Sequence, residues 1–286
     1  MKNVIKYYYN LDVSHIRKND DEYYMEIEGY DYLFTKCDIE KLNENIKYLS
    51  PDMYNIVSSN GMPYIYYNDS YYVLMRLKGI KKELTKDDLI SSFYSIKKKG
   101  NIKEKWIKLW SSHVDYIEYQ MEELKEKYPY LSSIISYYIG LTETAIEFLN
   151  NTRDEDVDLY LTHVRITAKT TVLELNNPIK VVIDSRSRDI AEFIKGNFFA
   201  KNSFSIQTCY ELIDLLSDNE KCLLFTRLIY PSYFFDIYDN IISGKDLENS
   251  AKRIIDKAFE YEGFLKNIYF YIKKTTYIDN IDWLIS

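Results

Sequence analysis

Residues 157–194, VDLYLTHVRITAKTTVLELNNPIKVVIDSRSRDIAEFI, predict three short strands followed by a helix. VDLYLTHVRI is apolar-rich with a polar break at Thr162 and His163. TTVLEL alternates, and the turn Asn176, Asn177, Pro178 leads into IKVVID, a β-branched and apolar run that stops at the carboxylate of Asp184. Ser185, Arg186, Ser187 and Arg188 then give a polar loop, and Asp189 opens a helical face continued by Ile190, Phe193 and Ile194. A hairpin that delivers an Asp at the end of a buried strand can build a metal-phosphate site. It can equally build a plain turn.

On the N-terminal side, residues 1–77 read mostly as strands: VIKYYYN, EYYMEIE, YDYLFTKC, MYNIVSS, MPYIYYN and YYVLMRL are short and rich in aromatic and β-branched residues. One helix interrupts them, with Asp38 as N-cap, Ile39, Leu42, Ile46 and Leu49 on one face, and Pro51 as its stop. Beyond Gly79 the pattern turns helical. Thr85 caps KDDLISSFYSIKK, and residues 103–127 repeat apolar side chains at helical spacing from Ile107 through Trp110, Val114, Ile117 and Met121 to Leu124. Residues 131–150, SIQTCYELIDLL, EKCLLFTRLIY, a segment started by Pro231 and residues 247–273 all read as helices. A strand-rich lobe (1–78) followed by a helical lobe (79–286) with a small β cluster at about 157–184 is an α+β ordering, hinged near residues 77–83.

Composition narrows the function. The 37 Lys and Arg against 44 Asp and Glu give a net charge of -7, which argues against nucleic acid as the main partner. Three cysteines (Cys37, Cys209, Cys222) have no CxxC spacing, and three histidines (His15, His113, His163) have no ligand spacing, so neither a disulfide framework nor a zinc site is expected. No apolar segment approaches a membrane span and the N-terminus lacks a signal-peptide core, so no membrane association and a cytoplasmic location are expected. Thirty tyrosines travel with abundant Lys, Asn and Ile, which fits AT-rich coding better than a dedicated tyrosine surface.

The layout resembles the protein-kinase-like fold, in particular its aminoglycoside and choline phosphotransferase branch. Within that branch it is similar to the degraded spore-coat-associated kinase-like proteins of spore-forming Firmicutes. Three stretches carry the resemblance: NGMPYIYYNDSYYVLMRLKG as the strand-turn-strand into the hinge, LTHVRI at the catalytic loop, and VVIDSRSRDIAEFI as the metal-binding Asp strand and the helix after it. The resemblance implies a bilobal fold with a small antiparallel-sheet N-lobe and a larger helical C-lobe. It implies His-Gly-Asp at the catalytic loop, with an Asn five residues beyond that holds magnesium. Here His163 matches, Val164 replaces the glycine, Arg165 stands at the Asp and Thr170 at the Asn. Asp184 matches the metal-binding Asp and Asp189 the Asp of the following helix, while Lys36, with Glu40 or Glu44, maps to the nucleotide clamp. No glycine precedes Gly29, so the glycine-rich loop is missing.

A guanidinium cannot accept a proton at any relevant pH, and a threonine hydroxyl is a poor ligand for a hard cation. The expectation is therefore a kinase-like fold with a degraded site, a pseudokinase serving as a binding or structural module linked to spore coat formation. No cofactor is expected, and its partner would be a protein, with those of the spore coat as candidates. The alternative is an active ATP- and Mg²⁺-dependent phosphotransferase in which Asp184 holds the ion and Asp189, Asp154 or Asp156 is the base. Plainer roles stand beside each residue: His163 as a hydrogen-bonded loop histidine, Arg165 paired with Asp184 or Asp189, Asp184 as a cap, Lys36 as a solvated edge lysine, and Trp106, Trp110, His113 and Ile117 as core packing.

Overall fold

A computed structural model describes residues 1–19, 21–49, 54–200 and 204–285. Its contacts divide the chain into two compact units, residues 1–92 with 169–182, and residues 93–168 with 183–286. In the first unit, α1 (Lys2–Tyr9) precedes β1 (Arg17–Asn19), β2 (Glu22–Ile27) and β3 (Tyr30–Lys36). Then come α2 (Ile39–Asn45), β4 (Tyr54–Val57), β5 (Ile65–Tyr67), β6 (Ser70–Leu77) and α3 (Lys86–Ser91). The second unit opens with β7 (Tyr94–Gly100), α4 (Lys103–Leu124), α5 (Pro129–Asn151) and β8 (Val157–His163). The chain revisits the first unit for α6 (Val172–Leu175) and crosses back within β9 (Val181–Asp184). Helices α7 (Ser187–Ala200), α8 (Ile206–Ile213), α9 (Asp218–Ile229), α10 (Ser232–Ile242), α11 (Lys252–Ile255), α12 (Ala258–Lys273) and α13 (Asp282–Ile285) complete the second unit.

The first unit is an antiparallel sheet in the order β1-β2-β3-β6-β4, with β5 also on β6. Strand alternation sorts its side chains onto two faces. Phe34, Tyr72 and Leu74 pack with Ile5 and Tyr9 of α1, while Leu33, Val73, Met75 and Leu77 pack with Leu42 of α2 and Leu173 of α6. In the second unit β7, β8 and β9 form a three-stranded sheet among helices that are buried over much of their surface. Of the expected α4 stripe Trp110, Val114, Ile117 and Met121 are buried, while Ile107 and Leu124 are half-buried and Trp106 takes the first buried position.

Four local readings change. VIKYYYN is helix, because Ile5 and Tyr9, spaced i and i+4, are its buried positions and Asn10 closes it in the left-handed region (φ 54). TTVLEL is helix too: the Thr171 hydroxyl accepts the Glu174 N–H while the Glu174 carboxylate accepts the Thr171 N–H, a capping box that outweighs the alternating pattern. KDDLISSFYSIKK splits, since α3 ends at Ser91 and Tyr94–Gly100 pairs with β8 across an irregularity where Lys97 has φ 55. Residues 247–273 are broken into a 3-10 turn (Glu248–Ala251), α11 and α12. Asp38 does cap α2, accepting from the N–H groups of Glu40 and Lys41, whereas Pro51 lies outside the described residues.

The boundary at Ser92, in place of one at residue 78, follows from backbone hydrogen bonds that tie residues 80–84 to the returning segment. Leu173 donates to Ile80 O, Val172 to Lys82 O, and Leu84 to Thr170 O. Gly79 makes this approach possible: it has φ +140, and an added Cβ would lie 3.2 Å from the Leu173 Cα. Gly79→Ala is therefore expected to destabilise the first unit by about 1–3 kcal/mol, read as a lower urea midpoint with unchanged slope.

Candidate functional site

Four residues from the predicted catalytic segment meet in the second unit. His163, the last residue of β8, is 5 % exposed, and its N–H donates to Asp189 Oδ1 at 2.8 Å. Its Nδ1 lies 2.6 Å from Asp189 Oδ2. Asp189 sits in the first turn of α7 and is fully buried, so both its oxygens are engaged by the histidine. His163 is hydrogen-bonded from a strand end instead of a loop, and it fixes the end of β8 against α7.

Asp184 ends β9 and is also fully buried. Its Oδ1 accepts the N–H of Ser185 at 2.8 Å. Its Oδ2 accepts the indole Nε1–H of Trp106 at 3.0 Å and Nη1 of Arg188 at 3.2 Å. The same guanidinium donates through Nε and Nη2 to the backbone carbonyls of His163 and Val164, each at 2.9 Å. A carboxylate held by an indole, an amide and a guanidinium has its charge already compensated.

Arg165 departs from both pairings expected of it. Neither Asp184 nor Asp189 takes it; it reaches Glu192 of α7 and Asp236 of α10, and Nη2 also faces the Ser232 carbonyl at 3.4 Å. Glu192 is the centre of a charge cluster. Lys195 Nζ lies 2.9 Å and Arg227 Nη2 3.3 Å from its Oε1, and all three side chains are essentially buried. Burial alone would push the Glu192 carboxyl up, but Lys195, Arg165 and Arg227 together hold it well below the usual carboxylate range. Lys195 feels the converse: burial, only partly offset by Glu192, pulls its ammonium down to about 8. Arg227 also lies over the ring of Trp106, 4.7 Å from its centroid.

Arg165 is thus a permanent cation at the position of the expected base, with carboxylates for partners. Gly196 lets α7 approach this loop, since a Cβ there would meet the Ala168 amide nitrogen at 3.0 Å. Thr170 belongs to the first unit, where its carbonyl accepts the Leu84 N–H at 3.2 Å. Asp154 accepts a hydrogen bond from Asn101 and is exposed, as is Asp156.

In the first unit Lys36 lies 3.5 Å from Asp21, both largely exposed. It shares the alternation of Phe34, while α2 packs on the face of Leu33. The lysine therefore points away from the face that carries α2, whose Glu40 and Glu44 are exposed. On the Leu33 face Lys180 lies 2.8 Å from Glu22, which also accepts from the Tyr24 hydroxyl. A cavity of about 630 Å³ opens beside Tyr24, lined also by Arg17, Asp31, Lys81, Leu173 and Glu174. Among the described residues no three His, Cys, Asp or Glu side chains are grouped to hold a metal ion, and no helix is long and apolar enough to cross a membrane.

Sequence reasoning missed Glu192, Lys195, Arg188, Arg227 and Asp236. A signal existed for the first two: Asp189, Glu192 and Lys195 recur every three residues, and between Ile190 and Gly196 the other residues are Ile, Ala, Phe and Gly.

Comparison with solved structures shows the fold. An aminoglycoside phosphotransferase from Alicyclobacillus acidocaldarius superposes with a TM-score of 0.55 at 11 % identity, covering 96 % of this chain and 97 % of its own. Spectinomycin phosphotransferase APH(9)-Ia in complex with ADP and spectinomycin gives 0.54 at 13 %, covering 95 % and 96 %. Choline kinase LicA from Streptococcus pneumoniae gives 0.51 at 12 %, covering 93 % and 99 %. The endospore coat-associated protein YutH of Bacillus subtilis (strain 168) is 25 % identical over 218 residues, which are 67 % of this chain and 64 % of that protein's length. The family model described as "Spore coat putative kinase YutH" matches residues 2–268. The chain belongs to that YutH family of kinase-fold spore coat proteins.

Proposed function

We propose that this protein is a kinase-fold protein that no longer transfers phosphate and serves as a binding or structural module in the spore coat. The observation that carries the reading is the state of Asp184: the carboxylate at the family's metal position is fully buried and accepts from Trp106, Ser185 and Arg188. Phosphoryl transfer depends on positioning and on cations that neutralise the phosphates. Here Arg165 replaces the base, and Lys36 is turned to the face opposite α2. The residues present do not fit a magnesium ion, and no catalytic step runs through one. A spore-coat location is supported by the family and by the name of its Bacillus subtilis relative.

A second reading, an active small-molecule phosphotransferase, draws support from the cavity beside Tyr24 and from the fold of the APH(9)-Ia complex. Thermal melts with ATP, with and without Mg²⁺, separate the two. No shift is expected, whereas ATP at a hundred times its dissociation constant would stabilise a binding protein by about 2.7 kcal/mol. Phosphate transfer from ATP to an aminoglycoside or choline, lost in Asp184→Ala with the fold kept, would overturn the silent-kinase reading.

A further inference from the structure

The kinase-like layout implies a divalent ion at the carboxylate that ends β9, and the geometry there disagrees. Arg188 turns three of its donors onto three oxygens: the carboxylate of Asp184 at 3.2 Å and the carbonyls of His163 and Val164 at 2.9 Å each. One carboxylate and two backbone carbonyls are the kind of oxygen set that a hard divalent cation takes. We propose that Arg188 is the resident cation of this site, built into the chain where the fold otherwise recruits a metal ion. The inference rests on the silent-kinase reading and says what replaced the metal.

The physical argument is one of charge and reach. Asp184 is wholly inaccessible to solvent, and an uncompensated carboxylate there would be costly. Arg188 is four residues further along the chain, its side chain 13 % exposed, so its charge arrives with the fold and involves no binding equilibrium. A guanidinium offers five donors in a rigid plane and stays charged across the physiological range. By bridging the carboxylate to both carbonyls it also holds residues 163–165, and with them the path that leads Arg165 to Glu192. A metal would have to displace this guanidinium and meet a positive charge at the same place.

The test uses the full-length chain and Mn²⁺ as probe, read by thermal melts and by electron paramagnetic resonance of bound Mn²⁺. Wild type is expected to melt at one temperature in Mn²⁺ and in EDTA and to bind no ion. Arg188→Ala is expected to melt lower in EDTA, and to rise by about 5 °C in Mn²⁺ at a hundred times its dissociation constant. Arg188→Ala combined with Asp184→Asn is expected to lose that response, and Arg188→Lys, which keeps a cation, to show none. A wild-type response abolished by Asp184→Asn overturns the proposal, as does a folded Arg188→Ala that binds no Mn²⁺ or a metal-responsive Arg188→Lys. If Arg188→Ala is unfolded in EDTA, its refolding yield decides: dependence on Mn²⁺ supports the proposal and independence overturns it. Turnover of ATP by wild type would end the silent-kinase reading, whereas a metal-blind Arg188→Ala would end only this inference.

Discussion

Glu192→Ala is expected to lower the melting temperature by about 10 °C, because it removes the carboxylate shared by three cations. Breaking a buried pair costs about 3–5 kcal/mol through the charge left behind, and here Lys195 and Arg227 are each nearly fully buried. Lys195 still has the carbonyls of Arg227 and Tyr230, at 2.9 and 3.2 Å, but those dipoles do not replace a full negative charge.

The same cluster sets an acid limit. Glu192 has a folded pKa below its unfolded value, so its contribution is complete above about pH 4.5 and is lost as pH falls through that value and below. His113, whose imidazole burial holds down, also loses stability towards acid, in its case below its ordinary pKa. Comparing wild type with Glu192→Gln isolates the carboxylate, since His113 is common to both. The gap in melting temperature should be widest at pH 7 and shrink from pH 5 to pH 3. A gap constant with pH would show that folding does not lower the Glu192 pKa.

Arg165→Asp restores the residue type that the phosphotransferase branch has at this position, and it is expected to yield no turnover. The new carboxylate would face Glu192 and Asp236, the partners that Arg165 now neutralises. Burial already pushes the Asp236 carboxyl up, against the pull of Arg165, so removing the guanidinium pushes it up further. A loss of about 3 kcal/mol, the low end for a buried pair, is expected from turning an ion pair into a repulsion where Glu192 is buried and Arg165 and Asp236 are half-buried. Chemical denaturation measures that loss, and a phosphotransfer assay on the same sample measures turnover. Turnover in a stable Arg165→Asp would mean that the chemistry needs only its base, and would sink the view that Asp184 is committed elsewhere.

Under the silent-kinase reading proposed above, Asp184 and Arg165 fall out of the chemistry in different ways. Asp184 is retained at the end of β9, yet its partners are an indole from α4 and a guanidinium from the start of α7. On that reading Arg165 departs from the chemistry by its residue type, whereas Asp184 departs from it by its neighbours.

Local sequence determined much of this protein. The α4 stripe, the Asp38 cap, the run of strands β2, β3 and β6, and the His163, Arg165 and Asp184 positions were legible because periodicity, capping and motif spacing are short-range properties. Where two short-range signals compete, as in TTVLEL, alternation was read and the Thr171 to Glu174 capping box decided. What only the tertiary structure decided are partners distant in sequence: Trp106 on Asp184 across 78 residues, Asp236 on Arg165 across 71, and the face of the sheet to which Lys36 turns. A charged side chain announces in the sequence that it will need compensation if buried. Which opposite charge supplies it depends on the path of the chain through space, and that path here gave Asp184 an arginine.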